Sequence, residues 1–257
     1  MGLIGCTFAL SMGALTFNAS SRVELGKEHP ESGVQAQPTD LEATSDDDLD
    51  AIVLRLMQAP GGRDYEAALN AAFDEFQRLA AVHDYDRALR VMKDIYDDTV
   101  ARGEPYFRTQ NWAGGALALA YTRADRHDDA ERIASERIQV TRDYLVQLRR
   151  QLEAARASGS DSEVQSIGYV RDLVWRQLTD LYDRRALGRI GAGRTDLARR
   201  DLGAALARGS SDAGVVLGRI ALTEGRLEDA RAIFRELLAE EPPQAWALRG
   251  WGLTMLP

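Results

Sequence analysis

Helical periodicity extends over almost the whole of residues 46–257, and this feature limits the fold more than any other. Apolar residues recur there at intervals of three and four positions, which places them on one face of an α-helix. Only five prolines fall in this range, and no stretch alternates polar and apolar residues over the length of a β-strand. The sequence therefore predicts an all-α body.

Short turn sequences divide this body into helices. Ser45 can cap a helix whose residues 46–48, all aspartates, lie at the positive end of the helix dipole. Ser160 and Glu163 have the spacing of a capping box, in which each side chain accepts a hydrogen bond from the other residue's backbone amide. The predicted helices span residues 46–58, 64–81, 85–102, 106–123, 128–157, 161–190, 195–207, 212–223, 227–240 and 244–256.

The two central helices, 128–157 and 161–190, are much longer than the others. Each carries apolar residues in steps of three and four, so each should bury one stripe. The predicted seam of the first is Ala130, Ala134, Ile138, Thr141, Leu145, Leu148, Leu152 and Ala155.

One segment near the end of the body resembles the tetratricopeptide (TPR) repeat, a helix–turn–helix unit of about 34 residues. Residues 217–242 carry the family's small, aromatic and turn residues at matching spacings, and Ala221 stands where the family has a tyrosine. Trp251 and Gly252 repeat the first matched pair one full repeat length later. The matched residues are Leu217, Gly218, Gly225, Ala230, Phe234, Leu237 and Pro242.

Earlier parts of the body carry weaker copies of this pattern. The small residue of the second repeat helix recurs as Ala88, Ala130 and Ala198 before Ala230, at spacings of 42, 68 and 32 residues, of which 68 is twice the repeat length. The resemblance covers about residues 65–257. It implies TPR-like antiparallel helical hairpins, stacked as a short solenoid or bundle, because each hairpin leaves an apolar face that its neighbour must cover.

In TPR proteins the first helix of each hairpin lines a groove that binds a partner. The resemblance therefore implies a non-enzymatic scaffold that holds another protein or peptide, and tryptophan and arginine are the residue types that dominate binding energies at interfaces. Core packing is the alternative role for Trp112. The groove candidates are Trp112, Leu119, Thr122 and Arg123 in one unit, Asp212, Val215, Arg219 and Leu222 in the best-matched unit, and Asn70, Phe73 and Gln77 in an earlier unit.

No group of residues in the sequence indicates catalysis or a cofactor. Cys6 has no histidine near it in sequence that could activate its thiol. His83 and His127 lie in predicted turns beside aspartates, which we expect to support helix N-termini rather than to bind a metal. Gly191 and Gly193 follow a helix and lack a third glycine, so we interpret them as a turn and not a nucleotide loop. We predict no enzyme, no cofactor and no metal site.

Charge is concentrated at one end of the chain. Residues 24–50 contain nine acids and one lysine, which accounts for the whole formal net charge of −8. A negative net charge argues against a nucleic-acid partner. Because large apolar groups are few there, residues 20–44 are predicted to be a disordered acidic linker.

Paired arginines such as Arg184 and Arg185 are expected mostly to form surface ion pairs, with a basic stripe for an acidic partner as the alternative.

Residues 1–19 form an apolar leader, and residues 1–17 have no charged side chain. A run of this length is typical of a signal peptide or anchor. Residues 3–6, Leu-Ile-Gly-Cys, also resemble a bacterial lipobox, which would make Cys6 a lipidation candidate. We therefore predict three parts, 1–19, 20–44 and 45–257, and a periplasmic or membrane-anchored location in the cell envelope. A packed leader in a cytoplasmic TPR adaptor is the alternative.

Two further interpretations remain open from the sequence. A small-ligand module of an envelope transport system would have its pocket between the two long helices, near Tyr144, Trp175 and Tyr182. The apolar terminal segment with Trp246 and Trp251 would cap the stack or mediate self-association.

Overall fold

Nine α-helices follow one another through the described residues of the computed structural model, which are 45–103, 106–239 and 254. These residues contain no β-strand, so the all-α prediction is confirmed, and each helix lies within two residues of its predicted bounds. The predicted leader 1–19, the linker 20–44 and the helix 244–256 lie outside the described residues. The helices are α1 (Asp46–Gln58), α2 (Gly62–Ala81), α3 (Tyr85–Ala101), α4 (Phe107–Arg123), α5 (His127–Ser158), α6 (Asp161–Gly191), α7 (Thr195–Leu206), α8 (Ser211–Thr223) and α9 (Leu227–Leu238).

The two serine caps predicted from the sequence have different outcomes. At α1 the Ser45 hydroxyl accepts from the Asp48 amide, and the Asp48 carboxylate accepts from the Ser45 amide, both at 3.2 Å. The capping box predicted at Ser160 is wrong, because this side chain makes no capping hydrogen bond. The Ser160 amide already donates to the carbonyl of Ala155 at 3.1 Å and closes the end of α5, so it is not available to Glu163.

The helices form two layers of a stack. Each helix packs against the next one along the chain, and α4 also packs against α6. Contacts between Phe73 and Trp112 and between Asp183 and Ser210 extend one layer from α2 through α4 and α6 to α8. We call α2, α4, α6 and α8 the inner layer, since they correspond to the groove-lining helices of the TPR resemblance. Consecutive packing of this kind confirms the predicted TPR-like stack.

The long helix α5 joins the two largest apolar clusters of the core. Its first residues, including Ala130 and Ala134, belong to one apolar cluster with residues of α1 to α4, whereas Ile138, Leu145 and Leu148 belong to a second cluster with residues of α6, α7 and α8. All eight residues of its predicted seam are buried. The spacing of apolar residues along α5 therefore identified the stripe that holds the stack together.

A contact between a glycine and an aromatic ring closes the α8–α9 hairpin. Phe234 is fully buried, and a Cβ atom on Gly218 would lie only 2.5 Å from its ring. Gly225 makes the intervening turn with a φ of 74°, a conformation that residues with a Cβ seldom adopt. These are the small, aromatic and turn positions on which the TPR resemblance was based.

Buried ion pairs join α5, α6 and α7. Asp201 on α7 is 4% exposed and accepts from Arg185 at 2.7 and 2.8 Å and from Arg189 at 2.7 Å. Arg189 also donates to Glu131 on α5 at 2.8 Å. Surface ion pairs were expected for the arginine pairs, but Arg185 belongs to this interior network. An ion network of this kind fixes how neighbouring helices are aligned, because a displaced carboxylate would leave buried charges without partners.

The outer halves of α5 and α6 extend past the ends of the neighbouring helices. Phe107, the first residue of α4, meets Tyr144, and Arg208, just after α7, stacks over Trp175. Beyond these contacts, residues 145–158 and 161–174 pack on each other, and we call them the distal hairpin. Each of these two segments is about 21 Å long at the rise of an α-helix. Within the described residues, no helix is long and apolar enough to cross a membrane.

Candidate partner-binding groove

An aromatic pair lies where α2 meets α4. The rings of Phe73 and Trp112 meet edge to face with centroids 4.5 Å apart, and both residues are half-buried. Asn70 and Gln77, one turn to either side of Phe73, are exposed. The predicted groove residue Trp112 therefore presents part of an aromatic surface while it also supports the packing of the two helices.

The remaining α4 candidates differ in how far they reach solvent. Leu119 is 8% exposed and thus mainly part of the core. Thr122 is half-buried and its hydroxyl donates to the Ala118 carbonyl of its own helix at 3.0 Å. Arg123 is exposed and lies close enough to Arg184 on α6 to affect its electrostatics. The structure therefore brings Arg123, more than Leu119, to the accessible side of the inner layer.

The four α8 candidates fall into two groups by their exposure to solvent. Asp212 and Arg219 are exposed. Val215 and Leu222 are half-buried and pack against the apolar cluster around Phe234. A partner on this helix would therefore meet charged side chains first and apolar side chains between them.

Three carboxylates lie within electrostatic range of one another where α6 passes the start of α8. Asp180 and Asp183 lie one turn apart on α6, and both interact electrostatically with Asp212 at the start of α8. We call these three residues the inner acidic cluster. The hydroxyl of Ser210, the N-cap residue of α8, donates to Asp183 Oδ2 at 2.7 Å and accepts from the Ala213 amide at 3.1 Å. The second oxygen, Asp183 Oδ1, is buried and accepts no hydrogen bond from the described part of the chain.

Burial and mutual repulsion alter the ionisation of this cluster. Burial raises the pKa of Asp183 to about 7, and repulsion by Asp180 and Asp212 contributes, against the opposing effects of the Ser210 hydrogen bond and Arg184. The pKa of Asp180 is also raised, chiefly by desolvation among the surrounding helices, although the residue reaches solvent. Burial lowers the pKa of the Arg184 guanidinium. A cation arriving from outside would favour the charged forms of these carboxylates.

Comparison with known proteins gives one match. Residues 189–251 match the family model for the tetratricopeptide repeat. Neither a curated protein nor a solved structure is significantly similar to the chain. The matched range includes α7, α8 and α9, whose hairpin contains the Gly218–Phe234 contact, and the other helices extend the same all-helical stack. Residues 189–251 therefore form a TPR repeat region within an all-helical, TPR-like stack.

The TPR-like assignment sets the general role of the protein. TPR repeats commonly bind other proteins, which indicates a protein–protein interaction scaffold, and the family is generally non-catalytic. The groove of this TPR-like protein combines residues that the resemblance located, such as Trp112 and Asp212, with Asp180 and Asp183, which it did not. Their spacing of three positions on one helix was the available signal, because residues three apart share a helix face.

Other residues considered in the sequence have structural contacts of their own in the TPR-like protein. The His83 ring shares a hydrogen bond of 2.7 Å with the Tyr85 hydroxyl, and Asp84 caps α3 through the Arg87 amide. The His127 ring lies so close to Gly191 that a Cβ there would be 2.2 Å from it. Among the described residues, no group of three or more potential ligands could hold a metal ion. Cys6, Trp246 and Trp251 lie outside the described residues.

A cleft lies between the two long helices, in the region where the sequence suggested a small-ligand pocket. Of the three residues named there, Trp175 lines it, whereas Tyr144 packs against Phe107 and Tyr182 is buried. The cleft lies on the distal hairpin and on Trp175, which directly follows it in α6, and its volume is about 300 Å³. Its lining residues are Leu145, Arg149, Leu152, Glu153, Arg156, Arg171 and Trp175.

Proposed function

We propose that this protein is a non-enzymatic scaffold that binds an extended segment of a partner protein across its inner layer. The observation that carries the proposal is that the Phe73–Trp112 pair, on α2 and α4, and the inner acidic cluster, on α6 and α8, belong to the same layer. An aromatic surface can take an apolar side chain of the partner, and clustered carboxylates can take a lysine or arginine. The preferred partner segment is therefore basic with an apolar residue.

The size of the inner layer sets the length of the partner segment. Packed helices lie about 10 Å apart, so the four helices from α2 to α8 span about 30 Å. An extended chain covers about 3.4 Å per residue, so about nine residues of a partner would cross the layer. The aromatic pair would bind one end of such a segment and the acidic cluster the other end.

Selection from a random library of dodecamer peptides, with the full chain as the target, tests this proposal. We expect the selected peptides to combine lysine or arginine with an aromatic or aliphatic residue several positions away. Asp180→Asn with Asp212→Asn should weaken their binding at least about tenfold, since each charge-assisted hydrogen bond is worth about 1.5–3 kcal/mol. Asp143→Asn removes the same charge from the exposed side of α5 and should leave binding unchanged.

Trp112→Leu tests the aromatic end of the same groove, with the melting temperature measured alongside. If this variant unfolds, the exposed Asp180 and Asp212 still allow the groove to be tested. Peptides that bind the Asp180→Asn/Asp212→Asn variant as tightly as the unmodified chain would refute a groove that selects cations. Selection of acidic peptides would refute it equally.

We also propose that the scaffold works at the bacterial cell envelope, either in the periplasm or anchored to a membrane through its N-terminus. The apolar leader, the Leu-Ile-Gly-Cys sequence at residues 3–6 and the acidic residues 24–50 support this location. Cell fractionation with an intact mass measurement tests it. A lipid-modified mass beginning at Cys6, or a cleaved chain beginning near residue 22, is expected. An unprocessed chain in the cytosol would refute this location and would indicate a cytoplasmic TPR-like adaptor instead.

A further inference from the structure

The cleft on the distal hairpin has an apolar floor and an aromatic wall. Leu145 and Leu152 are 8% and 5% exposed, and they form the bottom of the cleft. Trp175 lines the cleft and is 39% exposed. Apolar surface that is shaped into a cleft and left accessible favours an apolar ligand group, because covering it removes it from water.

The rim of the cleft is basic. Arg149, Arg156 and Arg171 line it with Glu153 as the one carboxylate. Arg149 pairs with Glu153 at 3.1 Å and Arg171 pairs with Asp172 at 2.8 Å, but these are exposed pairs of the kind that water weakens. The carbonyl of Arg156 accepts from the Gly159 amide, whereas its guanidinium has no hydrogen-bond or ion-pair partner among the described residues. The cleft thus has one guanidinium ready to bind an anion and a second one, Arg171, beside it.

The position of the cleft separates it from the partner groove. Its lining residues belong to the outer halves of α5 and α6, whereas the groove residues lie on α2, α4 and α8 and on the later turns of α6. Its volume of about 300 Å³ is at the lower end of the range found for small-molecule sites, about 300–1,000 Å³. A cleft of this size fits a small molecule and is too small for a helix of another protein.

We propose that this cleft binds a small organic anion in which one carboxylate is joined to an apolar body. The apolar body lies on Leu145 and Leu152 against the Trp175 ring, and the carboxylate accepts hydrogen bonds from the guanidinium groups of Arg156 and Arg171. Arginine is suited to this role because its fork of N–H donors matches the two oxygens of a carboxylate. This site is additional to the partner groove and does not depend on it.

Displacement of a fluorescent anion from the full chain tests the site. The probe is 1-anilinonaphthalene-8-sulfonate, whose aromatic body and single negative charge have the same combination of features as the proposed ligand. Octanoate and octylammonium, which have the same chain length and opposite charge, serve as competitors. We expect octanoate to displace the probe at a concentration at least about tenfold lower than octylammonium does.

Matched variants locate the binding. Arg156→Gln with Arg171→Gln should weaken octanoate at least about tenfold, since the charge-assisted hydrogen bonds to the carboxylate are lost. Arg150→Gln removes the same charge from a neighbouring exposed residue that does not line the cleft, and it should change binding less than about twofold. Circular dichroism of each variant checks that the helices are retained.

Three results would overturn the proposal. Equal displacement by octanoate and octylammonium would mean that the rim does not select charge. An unchanged affinity in the Arg156→Gln/Arg171→Gln variant would place the ligand elsewhere, and an equal loss in Arg150→Gln would indicate a general effect of net charge. Peptide binding at the inner layer is measured separately, so failure of one site leaves the result for the other intact.

Discussion

Replacing Asp183 with asparagine should change the stability of the protein in a pH-dependent way, with a net gain only at alkaline pH. The pKa of this buried carboxyl is raised from its ordinary value of 3.8 to about 7. The folded chain therefore holds a proton that the unfolded chain releases between these two pH values. The proton held by Asp183 contributes to the free energy of unfolding. This contribution is fully present below about pH 4 and is lost as the pH rises through 7. Asparagine stays neutral at every pH and avoids this loss.

The structure gives the size of the effect. A change in pKa from 3.8 to about 7 corresponds to about 4 kcal/mol once the group is fully ionised. Asp183 is only half-buried, so solvent reduces this to about 2 kcal/mol. The amide oxygen can still accept from Ser210, but the amide nitrogen replaces Oδ1, which has no described partner, and costs about 1 kcal/mol at all pH values. The difference between two pH values is therefore the quantity to measure.

Urea unfolding followed by circular dichroism at pH 4.5 and pH 8 provides this measurement. The change in the free energy of unfolding caused by Asp183→Asn should be more favourable at pH 8 than at pH 4.5, by about 2 kcal/mol. Asp143→Asn, on an exposed position of α5, controls for the removal of one negative charge. An Asp183→Asn effect that is the same at both pH values would refute the interpretation that burial holds this carboxyl neutral.

Three further substitutions use the same unfolding measurement; two test the packing around glycines, and the third tests the buried ion network. Gly218→Ala should destabilise the protein by about 1–3 kcal/mol, because the added methyl would meet the buried ring of Phe234. Gly203→Ala should stabilise it by about 0.5–1 kcal/mol, since an added methyl on this α7 glycine would have no neighbouring atom within 4 Å and alanine favours helix. If both glycine substitutions stabilised the protein, or if both destabilised it, the contact between Gly218 and Phe234 would be contradicted. Asp201→Asn should cost about 2–4 kcal/mol because it leaves two largely buried arginines short of a carboxylate, and a cost below about 1 kcal/mol, typical of a surface pair, would contradict the buried network.

The order and bounds of the helices could be predicted because they depend on short stretches of sequence. The seam of α5 follows from apolar residues three and four apart, and the turn at Gly225 follows from a single glycine between two such stretches. The contact between Gly218 and Phe234 required the TPR resemblance, since nothing in the spacing alone shows which residue of α9 meets which residue of α8. These features are local, or belong to a repeated unit.

The electrostatic features of the site could not be predicted because they join distant parts of the chain. Asp183 and Asp212 are separated in sequence by the whole of α7, and they come together where Ser210, at the start of α8, donates to Asp183 on α6. Arg185 appeared from its neighbours to be a surface residue, but the position of α7 places Asp201 against it, and Tyr182 of its own helix lies under the guanidinium. The failed cap at Ser160 has a related cause, since the tight connection from α5 uses its amide first.

The consecutive packing of the helices also bears on how the chain acquires its structure during synthesis. Most tertiary contacts join helices that are adjacent in sequence, so their formation closes only short loops and costs little chain entropy. The first hairpins can therefore fold while later ones are still being translated, and the nascent chain need not wait for its C-terminal residues. Folding should be fast for a chain of this length, and it should proceed from the N-terminal side of the stack.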